Sequence, residues 1–111
     1  MNKSLIVHLS AIDTLKSWVR ELPEVEDSKT FLLKQYSSWL LKPDELFSLI
    51  QKNKEQHERT LADYKKRISS FEEQNPGVNH PLFSTISVIK MGINLEEASI
   101  LWCDRMLQLL R

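Results

Sequence analysis

Two glycines (Gly77, Gly92) and four prolines (Pro23, Pro43, Pro76, Pro81) are the strong helix breakers in a chain of 111 residues. A many-stranded β domain needs a turn roughly every ten residues, and so few breakers cannot supply them. Between the breakers the apolar residues recur at steps of three and four, the spacing that puts them on one face of a helix. The fold class that follows is all-α, with about four helices, two of them long and folded into an antiparallel hairpin that associates as a coiled-coil-like dimer.

The first helix is read from Ser10, with Asp13 three residues on as an approximate capping box, through Leu15, Trp18, Val19 and Leu22 to Pro23. After an acidic link from Pro23 to Asp27, Asp27 or Ser28 caps a second helix that carries Phe31, Leu32, Tyr36, Trp39 and Leu40 on one face. Pro43 cannot continue that helix but suits the first turn of the next, where Asp44 and Glu45 complement the helix dipole. The third helix runs from Pro43 to about Glu73, on the order of 45 Å at 1.5 Å per residue. Ile50, His57, Tyr64 and Phe71 recur along it every seven residues, with Leu46, Leu49, Leu61 and Ile68 widening the stripe. Its outer face is charged, and Glu55/Arg59 and Asp63/Arg67 stand in the favourable i,i+4 order.

The segment EQNPGVNH, Glu73 to His80, has the residues of a helix–helix turn, and Asn79 with Pro81 behind it is the expected start of the fourth helix. Ile86, Ile89 and Ile93 form one stripe there, while Val88, Met91, Leu95, Ala98, Leu101 and Trp102 lie around the side. A helix apolar nearly all round needs cover on more than one side, and a second copy of the chain is the natural cover. The dimer and packing candidates are therefore Ile50, His57, Tyr64 and Phe71 on the third helix and Ile86, Ile89, Ile93 and Trp102 on the fourth. Gly92, in mid-helix, costs about 1 kcal/mol relative to alanine and points to a kink or a close crossing.

Charge excludes one class of partner. Fifteen basic and fifteen acidic side chains cancel, so the chain lacks the field that drives phosphate binding and is expected to bind DNA poorly by itself. No apolar run approaches the roughly 18 residues of a membrane span, and no signal-peptide pattern is seen, so the expected compartment is the cytoplasm. Cys103, the single cysteine, fits a reducing environment.

No residue cluster carries an enzyme's chemistry. His8, His57 and His80 lie in separate segments without ligand spacing, so neither a metal nor another cofactor is expected. There is no Gly-rich phosphate loop, GxSxG elbow or HExxH. His57 reads first as a partly buried, hydrogen-bonded histidine that sets helix register, with Asn53 and Thr60 on the same side; a proton-sensing role is the alternative. Cys103 reads as a small buried hydrophobe, and Lys65-Lys66-Arg67 as a solvated helix face. Trp18, Trp39 and Trp102 could line a pocket for a planar aromatic compound, although their spacing with leucines favours plain core packing.

Several of these features occur together in one known family. Phe31-Leu32-Leu33-Lys34, followed by Tyr36, Leu40 and Leu41 and then Pro43-Asp44-Glu45-Leu46, a long charged helix, a break, and an apolar helix with Glu97 five residues ahead of Trp102, resembles the helical C-terminal domain of PadR-like regulators, the group that includes virulence-gene activators. The resemblance covers about residues 14 to 110, a helical dimerisation domain extending to Arg111; Leu9-Ser10 resembles the end of a wing, which would make Met1 to Asp13 its remnant. It implies dimerisation and signal relay, DNA contact only through a winged helix, and in some relatives an aromatic effector. Met1 to Asp13 is too short to hold a recognition helix, so the resemblance leaves open a fragment of a longer regulator or a stand-alone copy acting as a competitor or a small-molecule binder.

Overall fold

A computed structural model describes residues 3–22 and 27–111, with side chains from residue 11 onward except that of Ser28. Four α-helices follow in order: α1 Lys3–Arg20, α2 Ser28–Tyr36, α3 Pro43–Glu72 and α4 Pro81–Leu109, with a 3-10 turn Ser38–Leu40 between α2 and α3. There is no strand among the described residues. α3 and α4 pack together as a hairpin, as the periodicity predicts.

Two boundaries differ from the sequence reading. α1 begins at Lys3, well ahead of the expected start at Ser10; the side chain of His8 and the link at 23–26 lie outside the described residues. The second helix stops at Tyr36 and does not carry Trp39 and Leu40 on its stripe. Ser37 N–H donates to the Lys34 carbonyl, and Leu40 and Leu41 N–H donate to Ser37 and Ser38 carbonyls, so tight i→i+3 bonds replace the α ladder. Three residues per turn instead of 3.6 take Trp39 off the helix face and leave it 79% exposed, while Leu32 and Tyr36, still on α2, are exposed there too, so the expected stripe is not the buried face of that helix.

The chain divides into two compact units, Met1–Lys52 with Leu110 and Asn53–Leu109 with Arg111, and α3 contributes to both. In the first unit Val19, Leu41 and Leu49 are buried together, with Trp18, Leu22 and Leu46 packed against them. Asp27 caps α2, accepting from Thr30 N–H and Thr30 Oγ1, each at 2.9 Å. Lys42 caps α3 half-way to a capping box: its N–H donates to Glu45 Oε1 at 3.4 Å, and Glu45 Oε2 accepts from Arg20 Nε at 2.6 Å. Lys34, only 3% exposed, donates from Nζ to the Glu21 carbonyl at 2.8 Å and lies 5.4 Å from the centroid of the Trp18 ring. A cation at that carbonyl satisfies an orphan acceptor beyond the end of α1 and opposes the negative end of its dipole.

In the second unit α3 ends where Asn75 takes φ 46°, a left-handed conformation that asparagine tolerates, and Pro76 prevents the helix from resuming. The next cap is His80 and not Asn79: the His80 Nδ1 accepts from Leu82 N–H at 3.0 Å. The imidazole reaches the second helical N–H, as a capping side-chain oxygen would.

Candidate functional site

Within the second unit, α4 carries two heptad stripes. One is Ile86, Ile89, Ile93, Glu96, Ile100, Cys103 and Leu107; the other is Val88, Met91, Leu95, Ala98, Trp102, Arg105 and Leu109. Each alternates steps of three and four, and each residue of the second lies two positions after one of the first, roughly 200° round the helix. The two stripes therefore occupy nearly opposite faces.

Burial separates them. On the first stripe Ile86, Cys103 and Leu107 are buried and the other four are half-buried. This is the inner face, because its polar members meet α3. His57 Nδ1 stands 2.5 Å from Glu96 Oε2, and the Cys103 thiol donates to the Oδ1 of buried Asn53 at 3.3 Å. On the second stripe Val88, Met91, Leu95 and Leu109 are each more than half exposed, as is Leu101 beside them. This outer face is the candidate interaction site. Ser87, Asn94, Ser99 and Gln108 flank it without charge, and Arg105 is the charge on the stripe itself.

Pairs at the hairpin's edges confirm the antiparallel sense. Lys54 Nζ lies 2.6 Å from Asp104 Oδ1 and Lys65 Nζ lies 3.9 Å from Glu97 Oε1, while Glu58 of α3 itself stands 3.7 Å from Lys54 Nζ. The hydrogen bond to Asp104 raises the Lys54 pKa above its ordinary value. At Gly92 the helices come close: a Cβ there would stand 2.9 Å from Tyr64 Cε2. Of the two alternatives read for Gly92, close crossing is the one present, and α4 passes through it as continuous helix. Burial, with the Asp104 carboxylate adding to it, pushes the Cys103 thiol up to about 11, so it stays protonated and donating.

The expected site residues fall as follows. His57 and Tyr64 meet α4 of the same chain, at Glu96 and Gly92. Ile86, Ile89 and Ile93 lie on that same inner stripe, Ile68 is buried, and Phe71 is half-buried near the turn. Trp102, half-buried, lies on the outer stripe. Ile50 is fully buried in the first unit. Of the tryptophans, Trp18 is half-buried near Lys34, Trp39 is exposed, and both belong to the first unit, whereas Trp102 belongs to the second. Among the described residues no three His, Cys, Asp or Glu side chains stand together as metal ligands. The sequence reading missed Glu96 and Lys34; the signal for Glu96 is an acid inside an otherwise apolar heptad stripe.

The family described as virulence activator alpha C-term matches residues 29–111, which spans the second helix, the hairpin and both stripes of α4. The chain belongs to this family. No match was found among curated proteins or among solved structures. As a virulence activator C-terminal domain, it is a helical domain of a transcription regulator. The match begins at Lys29, so the motif Phe31 to Lys34 lies within it and the whole of α1 precedes it. Among the described residues no helix is long and apolar enough to cross a membrane.

Proposed function

We propose that this is the dimerisation and signal-relay domain of a PadR-like regulator, and that the outer stripe of α4 is the seam on which a second copy sits. The single observation behind this reading is that a second heptad stripe, exposed at every position but half-buried Trp102, runs along a helix whose first stripe is already used. A stripe with uncharged flanks can face its own copy with little like-charge repulsion, which suits a two-fold interface. Pairing through α4 would set the distance between two DNA-binding heads, which must match half-sites whole turns of DNA apart. A shift of the seam would then relay a signal to the DNA. DNA contact is indirect, through a winged helix, and the reading assigns the domain no catalytic role and a cytoplasmic location.

Light scattering on the purified chain tests the proposal. The wild-type chain is expected at twice the single-chain mass, and Leu95→Glu at the single-chain mass with its helix signal intact. Ile93→Glu, on the half-buried inner stripe, is expected instead to lower helix content and Tm, because a charge without a partner packed against α3 is costly. A wild-type chain that stays single at tens of micromolar, or a Leu95→Glu variant that keeps the doubled mass, would overturn the reading.

A further inference from the structure

We infer that Asn53, His57 and Tyr64 on α3 select which of the two apolar faces of α4 turns inward, and so which face is left for a partner. The consequence for a partner rests on the seam proposed above, whereas the selection is a property of one chain. Each stripe offers five large apolar residues, Ile86, Ile89, Ile93, Ile100 and Leu107 inside and Val88, Met91, Leu95, Trp102 and Leu109 outside. Apolar content alone therefore gives α3 little reason to prefer either.

The discriminating contacts are polar and steric. If α4 were turned by two positions, Ala98 would take the place of Glu96, leaving His57 against a methyl group. Arg105 would take the place of Cys103, carrying a guanidinium to a fully buried position that faces the neutral amide of Asn53. Asn94 would take the place of Gly92, where even a Cβ approaches Tyr64 to 2.9 Å. All three contacts fail together on rotation. A polar seam residue that specifies one arrangement among several of similar apolar content acts in the same way in coiled coils.

Cys103 is a built-in reporter of the inner face, since its thiol is 0% exposed. In the full chain carrying Asn53→Leu, His57→Leu and Tyr64→Ala, α3 offers no polar or steric match to either stripe, and each stripe carries one charge without a partner there, Glu96 on the inner and Arg105 on the outer, so the preference for the inner face is lost. Cys103 alkylation by iodoacetamide is expected to run at least about tenfold faster than in the wild type, at unchanged helix signal and at a rate flat with sub-denaturing urea. Adding Glu96→Leu makes the inner stripe the more apolar one again and is expected to restore slow alkylation. That rescued chain still lacks the Asn53 amide, so recovery separates face selection from a local loss of the thiol's acceptor.

Three outcomes overturn the inference: a triply substituted chain as slow as wild type, a fast rate that climbs with urea as unfolding does, or no rescue by Glu96→Leu. Light scattering on the same samples reports the dimer separately. A failed seam with an intact face preference, or the reverse, is thus recognisable.

Discussion

Lys34 ties together groups that lie apart in the sequence, the Trp18 ring and the Glu21 carbonyl, from a position on α2 that is almost fully buried. Replacing it with methionine keeps most of the apolar stem but removes a charge-assisted hydrogen bond and leaves the carbonyl unpaired. The expected cost is about 2 kcal/mol, seen as a lower urea midpoint at unchanged slope. Two carboxyls bear on the acid behaviour. Thr30, through its N–H and then its hydroxyl, holds Asp27 below the usual carboxylate range, and the Arg20 guanidinium, helped by the Lys42 N–H, does the same for Glu45. Both ionise more readily folded than unfolded, so their contribution is present above about pH 4 and is lost as pH falls through the lower folded values. Asp27→Asn with Glu45→Gln removes the titration while keeping side chains that can cap. Thermal melts of that variant are expected to lose less Tm below about pH 4 than the wild type does.

At the scale of the helix, Gly92 and Cys103 show how closely α4 is fitted to α3. Alanine at Gly92 gains about 1 kcal/mol of helix propensity. Its Cβ, however, meets the Tyr64 ring at 2.9 Å, so Gly92→Ala is expected to lower Tm in spite of the propensity. In a Tyr64→Ala background the same substitution is expected to raise Tm; a penalty equal in both backgrounds would show that the ring is not the cause. The Cys103 thiol gives the element an alkaline limit. The unfolded thiol ionises near 9 and the folded one at about 11, so the stability it contributes is present below pH 9 and is lost as pH rises from 9 toward 11. Cys103→Ala is expected to flatten that decline in denaturant titrations run at successive pH values.

For the whole molecule, the zero net charge and the uncharged flanks of the outer stripe bear on association. A seam held by apolar contact without charged flanks is expected to give a dimer constant that changes little between about 0.05 and 0.5 M salt, measurable by sedimentation equilibrium. A constant that weakens steeply over that range would point to charged groups as the contact and away from α4's outer face. By the same balance of charges, the isolated chain is expected not to shift duplex DNA in a gel at physiological salt.

The helical class, the long hairpin, the turn near Pro76 and the close crossing at Gly92 were legible in the residues, because breakers and 3/4 spacing act locally and helices need no distant partner to declare themselves. The stripe through Val88, Leu95 and Trp102 was visible too, but not which stripe faced inward, since periodicity records that a face is apolar and not what covers it. Only tertiary structure paired His57 with Glu96 and Asn53 with Cys103, contacts between residues about forty or fifty positions apart. It also took Trp39 off its expected stripe, through i→i+3 bonds that override the 3.6-residue repeat. Local sequence determined that α4 would have two usable faces; the polar and steric match to α3 decided which of them it keeps for itself.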